Sequence, residues 1–403
     1  MKTLNIGLFG FGCVGEGLYD ILKNTGRSDI VIKKICVKDL SKSRSAPQAL
    51  FTDQADRILE DPGIDLIVEL INGIDTAYKI VSKAITNNIP VVSANKQMIA
   101  TYFDELFKLS EDNNTPFLYE GAVAGSIPII KTLDQYYQND KINHVSGILN
   151  GTSNYILSNQ HEQDINFETA LKAAQQKGFA EFDPTADIES YDPKYKLKIL
   201  IAHAFGLSVD HQDILNLGIS SIKPQDIAFA KSRERKIKLL AHVEKHKDVL
   251  NGFVAPVFVD NTETAYHIDQ EYNFVKVDAT YTSGQFLKGK GAGNYPTAIA
   301  VLSDIDHIFK YTTGYHLKTT NSIGFENNGL VEAYISAATG AALAHIPFEE
   351  EYQNYQSEGH HYQTGKISLD HLVRMNKKGL FISLLSSKIQ PAFSTDELLL
   401  NEV

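Results

Sequence analysis

Apolar positions along this 403-residue chain follow two rhythms that alternate through its first third. Short unbroken apolar runs read as strands buried on both faces, and stretches with apolar residues three and four apart read as amphipathic helices. Residues 3–9, T-L-N-I-G-L-F, give the first strand; a glycine-rich turn, the helix E-G-L-Y-D-I-L-K and a second strand, I-V-I-K-K-I-C-V, follow. The run D-L-I-V-E-L-I-N-G predicts an interior parallel strand, 75–87 a helix, and I-P-V-V-S a strand that ends just before Ala94-Asn95-Lys96. A helix over 102–110 and a strand in T-P-F-L-Y extend the series. Alternation of this kind predicts a doubly wound parallel sheet.

After residue 131 the rhythm changes. The segment V-S-G-I-L-N-G-T-S-N-Y-I-L, helices at 167–177, 193–205 (closed by Gly206) and 224–243, and strands between 249 and 287 predict an α+β domain. Gly289 to Thr297, with the helix A-I-A-V-L-S-D-I behind it, reads as a return crossing into the first domain, or as a second phosphate loop. Residues 313–403 look separate, with strands at 330–337 and 379–386, a helix near 368–377, and His360 and His361 in a solvated turn. The domains expected are 1–131 plus 290–312, then 132–289, then 313–403 with no assigned role. The fold class is α/β: a Rossmann-type nucleotide-binding domain, an α+β catalytic and dimerisation domain, and a small α+β C-terminal region.

Composition changes little: 43% hydrophobic and 22% charged residues are those of an ordinary soluble globular protein. The net charge of −11 disfavours nucleic acid and anionic membranes as general partners and leaves room for a locally basic phosphate pocket. Two cysteines, Cys13 and Cys36, make no disulfide framework and suit a reducing cytoplasm. The opening M-K-T-L-N-I-G-L-F-G does not read as a signal peptide, and no apolar run reaches the length of a membrane span.

The candidate chemistry sits at four places. Gly10, Gly12 and Gly15 in G-F-G-C-V-G lie between strand and helix, the context that makes this pattern a dinucleotide fingerprint, with Cys13 and Val14 opening the helix towards the phosphates. At the end of the second strand Lys38 stands where a ribose-binding acid is expected, with Asp39, Lys42 and Arg44 after it, so NADP(H) is preferred and NAD(H) is the second choice. Lys96 lies at the carboxyl end of a strand, where open α/β sheets bind ligands. The small-residue loop Glu120 to Ile127 reads as a cation site of carbonyls or as a packing corner.

The fourth place is G-F-A-E-F-D-P-T-A-D-I-E-S-Y-D-P-K-Y-K, residues 178–196. Asp192 is the expected N-cap, with Pro193 in the first helical position. Lys196 then shares a face with Asp192, Leu200 and His203, while Lys194 and Lys198 point elsewhere. A lysine drawn to the apolar side with a carboxylate one turn behind it suits proton transfer.

These blocks resemble homoserine dehydrogenase over roughly the first three quarters of the chain, notably G-F-G-C-V-G, S-A-N-K at 93–96, G-I-L-N-G-T-S-N-Y-I-L at 147–157, and 178–196. The resemblance implies reversible NAD(P)H-dependent reduction of L-aspartate 4-semialdehyde to L-homoserine, on the branch to threonine, methionine and isoleucine, by a homodimer. It implies Lys196 as catalytic lysine with Asp192 as its acidic partner, Glu181 and Asp187 as substrate-binding carboxylates, and Lys96 beside the nicotinamide. Gly178 and Gly293 fall at cofactor contacts, and Glu120, Val123, Gly125 and Ile127 at a site of carbonyls that usually holds sodium. Phe179 and Ser190 depart from the usual Tyr and Gly, and the small residues at 121–126 are distributed differently. The ACT pattern of longer members is not seen, so threonine feedback through such a domain is not supported. The expected mechanism has Lys96 and Lys196 stabilising the oxyanion formed by hydride delivery, with Lys196 as the acid. A dehydrogenase of another small amino-acid aldehyde and an NADP-binding redox sensor are the alternatives.

Overall fold

A computed structural model describes residues 3–319 and 323–391. The chain divides into two units, each discontinuous in sequence: Met1–Asn139 with Ala202–Ser208 and Gly289–Lys318, and Asp140–Ile201 with Val209–Lys288 and Thr319–Val403.

In the first unit six strands form one sheet: β1 (Leu4–Phe9), β2 (Ile30–Cys36), β3 (Phe51–Thr52), β4 (Leu66–Glu69), β5 (Val91–Ser93) and β6 (Phe117–Leu118). Their order is β3-β2-β1-β4-β5-β6, and every neighbouring pair is parallel. That is the Rossmann arrangement, and the order reverses beside β1, where such sheets bind their ligand. Central strands are buried on both faces, as Leu66, Ile67 and Val68 show, which is why they read as continuous apolar runs. The helix Cys13–Asn24 lays Leu18, Ile21 and Leu22 into the core. It meets the helix Asn294–Tyr311 closely: a Cβ on Gly17 would lie 1.6 Å from Asn294 Oδ1.

The second unit is built on an eleven-stranded sheet. Its strands are β7 (Ile142–Ile148), β8 (Leu215–Asn216), β9 (Lys236–His246), β10 (Val249–Val259), β11 (Tyr272–Ala279), β12 (Ser283–Lys290), β13 (Gly324–Phe325), β14 (Leu330–Ala337), β15 (Glu350–Ser357), β16 (His360–Ser368) and β17 (Leu380–Leu384). The order is β12-β11-β7-β9-β10-β17-β14-β16-β15, with β8 and β13 on β10. Phe253, Ala255 and Val257 of β10 share one buried cluster with Val331, Ala333 and Ile335 of β14 and Ile382 and Leu384 of β17.

Three expectations change here. The helix expected over 224–243 stops at Lys231; Glu234 takes φ 56°, and β9 begins at Lys236. The apolar Ile237, Leu239, Ala241 and Val243 in fact alternate, the period of a strand, with Lys238 and His242 at intervening positions. Residues after 319 do not stand apart: β17 joins β10 in parallel at Val257 and Leu384, so a hydrogen-bonded edge that composition cannot reveal ties them to the sheet. Nor is His360 in a solvated turn. It is 5% exposed, and its Nε2 lies 3.1 Å from Asp226 Oδ1.

The strands β14 to β17, with the turn Gly340–Leu343 and the helix Leu369–Arg374 between them, run βαββαβ in spatial order β17-β14-β16-β15. This is a ferredoxin-like layout with helices cut to a turn or two; the second matches the helix expected near 368–377, and the first was not expected. Among the described residues no helix is long and apolar enough to cross a membrane.

Candidate active site

In the second unit β7 leads into Leu149 and Asn150, and Asn150 caps the helix Gly151–Gln163 by accepting the Ser153 N–H at 2.8 Å. The Asn150 amide donates to Asp187 Oδ1 at 2.6 Å and to Asp192 Oδ2 at 2.8 Å. Asp192 Oδ2 also accepts from Lys196 Nζ at 2.7 Å, and Lys196 Nζ donates to the Leu149 carbonyl at 2.7 Å. Asp192 is 3% exposed and Lys196 5%. The predicted pairing one helical turn apart is therefore present, dry, and hydrogen-bonded to two further groups.

Details differ from the sequence reading. The helix starts at Tyr191, not Pro193. Ser190 precedes it at φ 65°, and its Oγ donates to the Leu217 carbonyl at 2.7 Å. Asp192 is thus not the cap; its carboxylate turns to Asn150 and Lys196. Ser190 occupies a left-handed conformation that costs a side chain about 1–2 kcal/mol, which accounts for the glycine expected there by resemblance. Lys194 and Lys198 are as buried as Lys196, at 7% and 5% exposure. Burial alone therefore does not single out Lys196. Lys194 donates to Asn216 Oδ1 at 2.9 Å, and burial pushes it down to about 8.

The structure brings Asp187, Asp192 and Lys196 together, while Glu181 is exposed on the turn that follows the helix Phe167–Gln176. Gly178 ends that helix at φ 75°, its N–H donating to the Gln175 carbonyl at 3.0 Å. Phe179 packs against Tyr155 with ring centroids 5.0 Å apart. Sequence reasoning missed Asn150, whose signal was an amide in the cap position of L-N-G-T-S.

In the first unit the three glycines divide the expected tasks. Gly10 turns at φ 94°, and a Cβ there would lie 2.5 Å from the Leu70 carbonyl oxygen. A Cβ on Gly15 would lie 2.5 Å from the Gly10 carbonyl oxygen, whereas Gly12 has nothing within 4 Å. Neither the helix Cys13–Asn24 nor the helix Asn294–Tyr311, which begins after Gly293 at φ 120°, has a side-chain cap. Cys13 is exposed and Val14 half-buried. Open space over Gly12 at an uncapped helix N-terminus fits a pyrophosphate.

Asp39 Oδ1 accepts the Ser41 N–H at 2.8 Å and its O–H at 2.6 Å. Arg44 donates to the carbonyls of Asp39 at 2.7 Å and Lys42 at 2.8 Å, and lies over the Phe51 ring; Lys38 is exposed. Lys96 is half-buried at the start of the helix Lys96–Thr101, which Asn95 caps by accepting the Met98 N–H at 3.0 Å.

The loop from Glu120 opens with a 3-10 turn, and Gly125 takes φ 54° with the Gly291 carbonyl carbon 2.6 Å from where a Cβ would be. The Glu120 carboxyl is buried and accepts the N–H groups of Ile130 at 3.0 Å and Lys131 at 2.8 Å. Burial and the nearby Asp304 push it up. The Glu120 carbonyl takes a long 3.5 Å bond from the Val123 N–H, and Ile127, at the end of the loop, is buried. Among the described residues no group of three or more His, Cys, Asp or Glu is placed to hold a metal, so a cation at this loop would rest on carbonyls.

A family model described as homoserine dehydrogenase matches residues 128–305, and one described as homoserine dehydrogenase, NAD binding domain, matches residues 10–120. A homoserine dehydrogenase from Bacillus subtilis is 33% identical over 77% of this chain and 74% of its own length. The chain belongs to the homoserine dehydrogenase family. It is thus an NAD(P)-dependent oxidoreductase acting on a CH–OH group, and the sensor alternative is not favoured. A homoserine dehydrogenase from Thiobacillus denitrificans superimposes with a TM-score of 0.82 at 29% identity, covering 96% of this chain and 99% of that one. A mutant hyperthermophilic archaeal homoserine dehydrogenase in complex with NADPH matches with a TM-score of 0.65 at 25% identity, covering 76% of this chain and 97% of that one.

Proposed function

We propose that Lys196 is the proton-transfer group of this homoserine dehydrogenase, and the observation that carries it is its buried ion pair with Asp192. The Gly10–Gly15 turn would hold a reduced nicotinamide dinucleotide, which would supply the hydride for the aldehyde carbon of L-aspartate 4-semialdehyde. The Lys196 ammonium stabilises the oxyanion that develops and gives it a proton; in the reverse direction the neutral amine takes the hydroxyl proton. Asp192 and the Leu149 carbonyl fix the direction of the ammonium and keep it charged.

Asp187 and Asp192 both accept from the Asn150 amide beside Lys196, and Asp187 and Glu181 are assigned to the substrate's ammonium. Lys96, at the carboxyl end of β5 in the other unit, is assigned to the nicotinamide end of the cofactor. The cationic loop of Lys38, Lys42 and Arg44, with Asp39 committed to Ser41, supports NADP(H) over NAD(H). Gly178 and Gly293 are kept as cofactor contacts. Carbonyls of Glu120, Val123, Gly125 and Ile127 are proposed as sodium ligands, since the Glu120 carboxyl is committed to Ile130 and Lys131. A cytoplasmic homodimer on the branch to threonine, methionine and isoleucine completes the reading, in keeping with two free cysteines and the family.

Turnover of Lys196→Ala tests the assignment. Loss of a general acid costs on the order of 10²–10⁴ in rate. The variant should show that loss with NADPH affinity intact, and wild-type turnover would refute the role. Initial rates with NADPH and NADH should favour the former.

A further inference from the structure

β4 lies between the two strands whose ends carry the proposed cofactor turns, and its last residue is a wholly buried carboxylic acid, Glu69. In register it stands beside Phe9 of β1 on one side and Ser93 of β5 on the other. Glu69 Oε1 accepts the Ile71 N–H at 2.8 Å, and Oε2 accepts the Ser93 O–H at 2.6 Å. Ser93 Oγ accepts the Asn95 N–H at 3.1 Å, and the Asn95 amide donates to the carbonyls of Ile71 at 3.2 Å and Gly73 at 3.4 Å. Asn95 then caps the helix that Lys96 begins.

One carboxyl is therefore bonded directly to the turn after β4 and, through Ser93 and Asn95, to the turn that presents Lys96. Packing does not ask for it. The rest of β4 is Leu, Ile and Val, and an uncompensated acid in a sheet interior is costly. We infer that Glu69 is a positioning residue for the dehydrogenase reaction, holding the turns after β4 and β5, and with them Lys96, in the arrangement that receives the nicotinamide end of the cofactor. The inference rests on the reading of Lys96 as an active-site group.

The carboxylate suits this task and the neutral acid does not. Ionised, Glu69 accepts from both partners. Protonated, it carries an O–H among groups that already donate; the Ser93 hydroxyl can rotate to accept it, but the Ile71 N–H cannot. Burial pushes Glu69 up to about 7, partly offset by its bonds to Ser93, Ile71 and Asn95. Beside it in the sheet, β1 offers Phe9 and β5 offers Ser93, neither ionisable near neutrality, and Lys96 follows three residues after Ser93 in sequence. The helix Ile74–Thr86, packed on β4, carries Asp75 and Lys79, both exposed, and Lys83, which is paired with Asp56 and Glu60.

The test is the NADPH dissociation constant and kcat of wild type, Glu69→Gln, Ser93→Ala and Lys96→Ala between about pH 5.5 and 8.5. Wild-type affinity should weaken about tenfold from pH 8 to pH 6, following Glu69 protonation. Glu69→Gln should bind NADPH about tenfold more weakly at pH 8, lose that pH dependence, and lower kcat while sparing the substrate KM. Ser93→Ala, which leaves the acid in place, should lower kcat and keep the pH dependence. A Glu69→Gln enzyme with the wild-type profile and affinity overturns the inference. Were that variant not to fold, a Ser93→Ala enzyme with wild-type kcat would do the same. If instead Lys96→Ala turns over normally, it is the reading of Lys96 that fails.

Discussion

Asn150 spends both of its amide hydrogens on carboxylates, one to Asp187 and one to Asp192. Replacing it with alanine leaves two neighbouring acids to repel each other and lets Asp192 release Lys196. Asn150→Ala should lower kcat at least tenfold and cost about 1–3 kcal/mol of stability, read by initial rates and chemical denaturation. Glu69 makes a separate prediction at this scale. Its folded pKa is raised from 4.5 to about 7, so the native state holds a proton that the unfolded chain releases, and stability falls as pH rises between those values. The loss amounts to about 3 kcal/mol at most. Glu69→Gln should remove that slope from melting curves recorded across the interval. At the level of single residues the pairing of Lys196 with Asp192 was legible from spacing, since four-residue separation on a helix is local geometry. The sequence did not show Asn150 or the Ser93 link of Glu69, because those contacts join segments far apart in the chain.

Among elements, the turn between β1 and its helix is the most legible, and each glycine has its own steric reason. Gly15→Ala would push a methyl into the Gly10 carbonyl oxygen, 2.5 Å away, separating the helix from the sheet. NADPH affinity should fall at least tenfold in titrations, and stability by about 1–3 kcal/mol through overpacking. Phe167–Gln176 and β14 were placed from sequence to within a few residues. Failures came at β9 and β15. β9 is buried from Ile237 to Val243, with Lys238 and His242 among its apolar residues, and was read as helix, whereas β15 is exposed throughout most of its length and offered little apolar signal. A strand of that kind is specified by its partner β16, not by its own alternation.

For the whole molecule, the buried His161 and His203 and the half-buried His144 set the acid limit. Burial pushes His144 down to about 4, and His161 and His203 down to about 3. Each stays neutral in the native state while the unfolded chain takes up a proton below about 6.5, so stability is full above that pH and drains away as it falls. Melting temperature should therefore drop steeply from about pH 6.5 to pH 4, and the opposite slope of Glu69 places the optimum near neutrality. The C-terminal strands carry a further prediction. Ending the chain at Lys318 removes β14 and β17 and strips Phe253, Ala255 and Val257 of half their buried cluster. The second unit should then be insoluble or molten, as dye binding and near-UV dichroism would reveal.

The parallel join of β17 to β10, more than a hundred residues apart, has a bearing on how the protein is made. Leu384 is synthesised long after β7, the first strand of the sheet, yet it completes the middle of that sheet. Until β17 arrives, the sheet presents two open hydrogen-bonding edges where it will lie, and such edges recruit other strands. Synthesis thus has a vulnerable interval between β10 and β17, and slow decoding or a stall within it should send this protein to chaperones or aggregates.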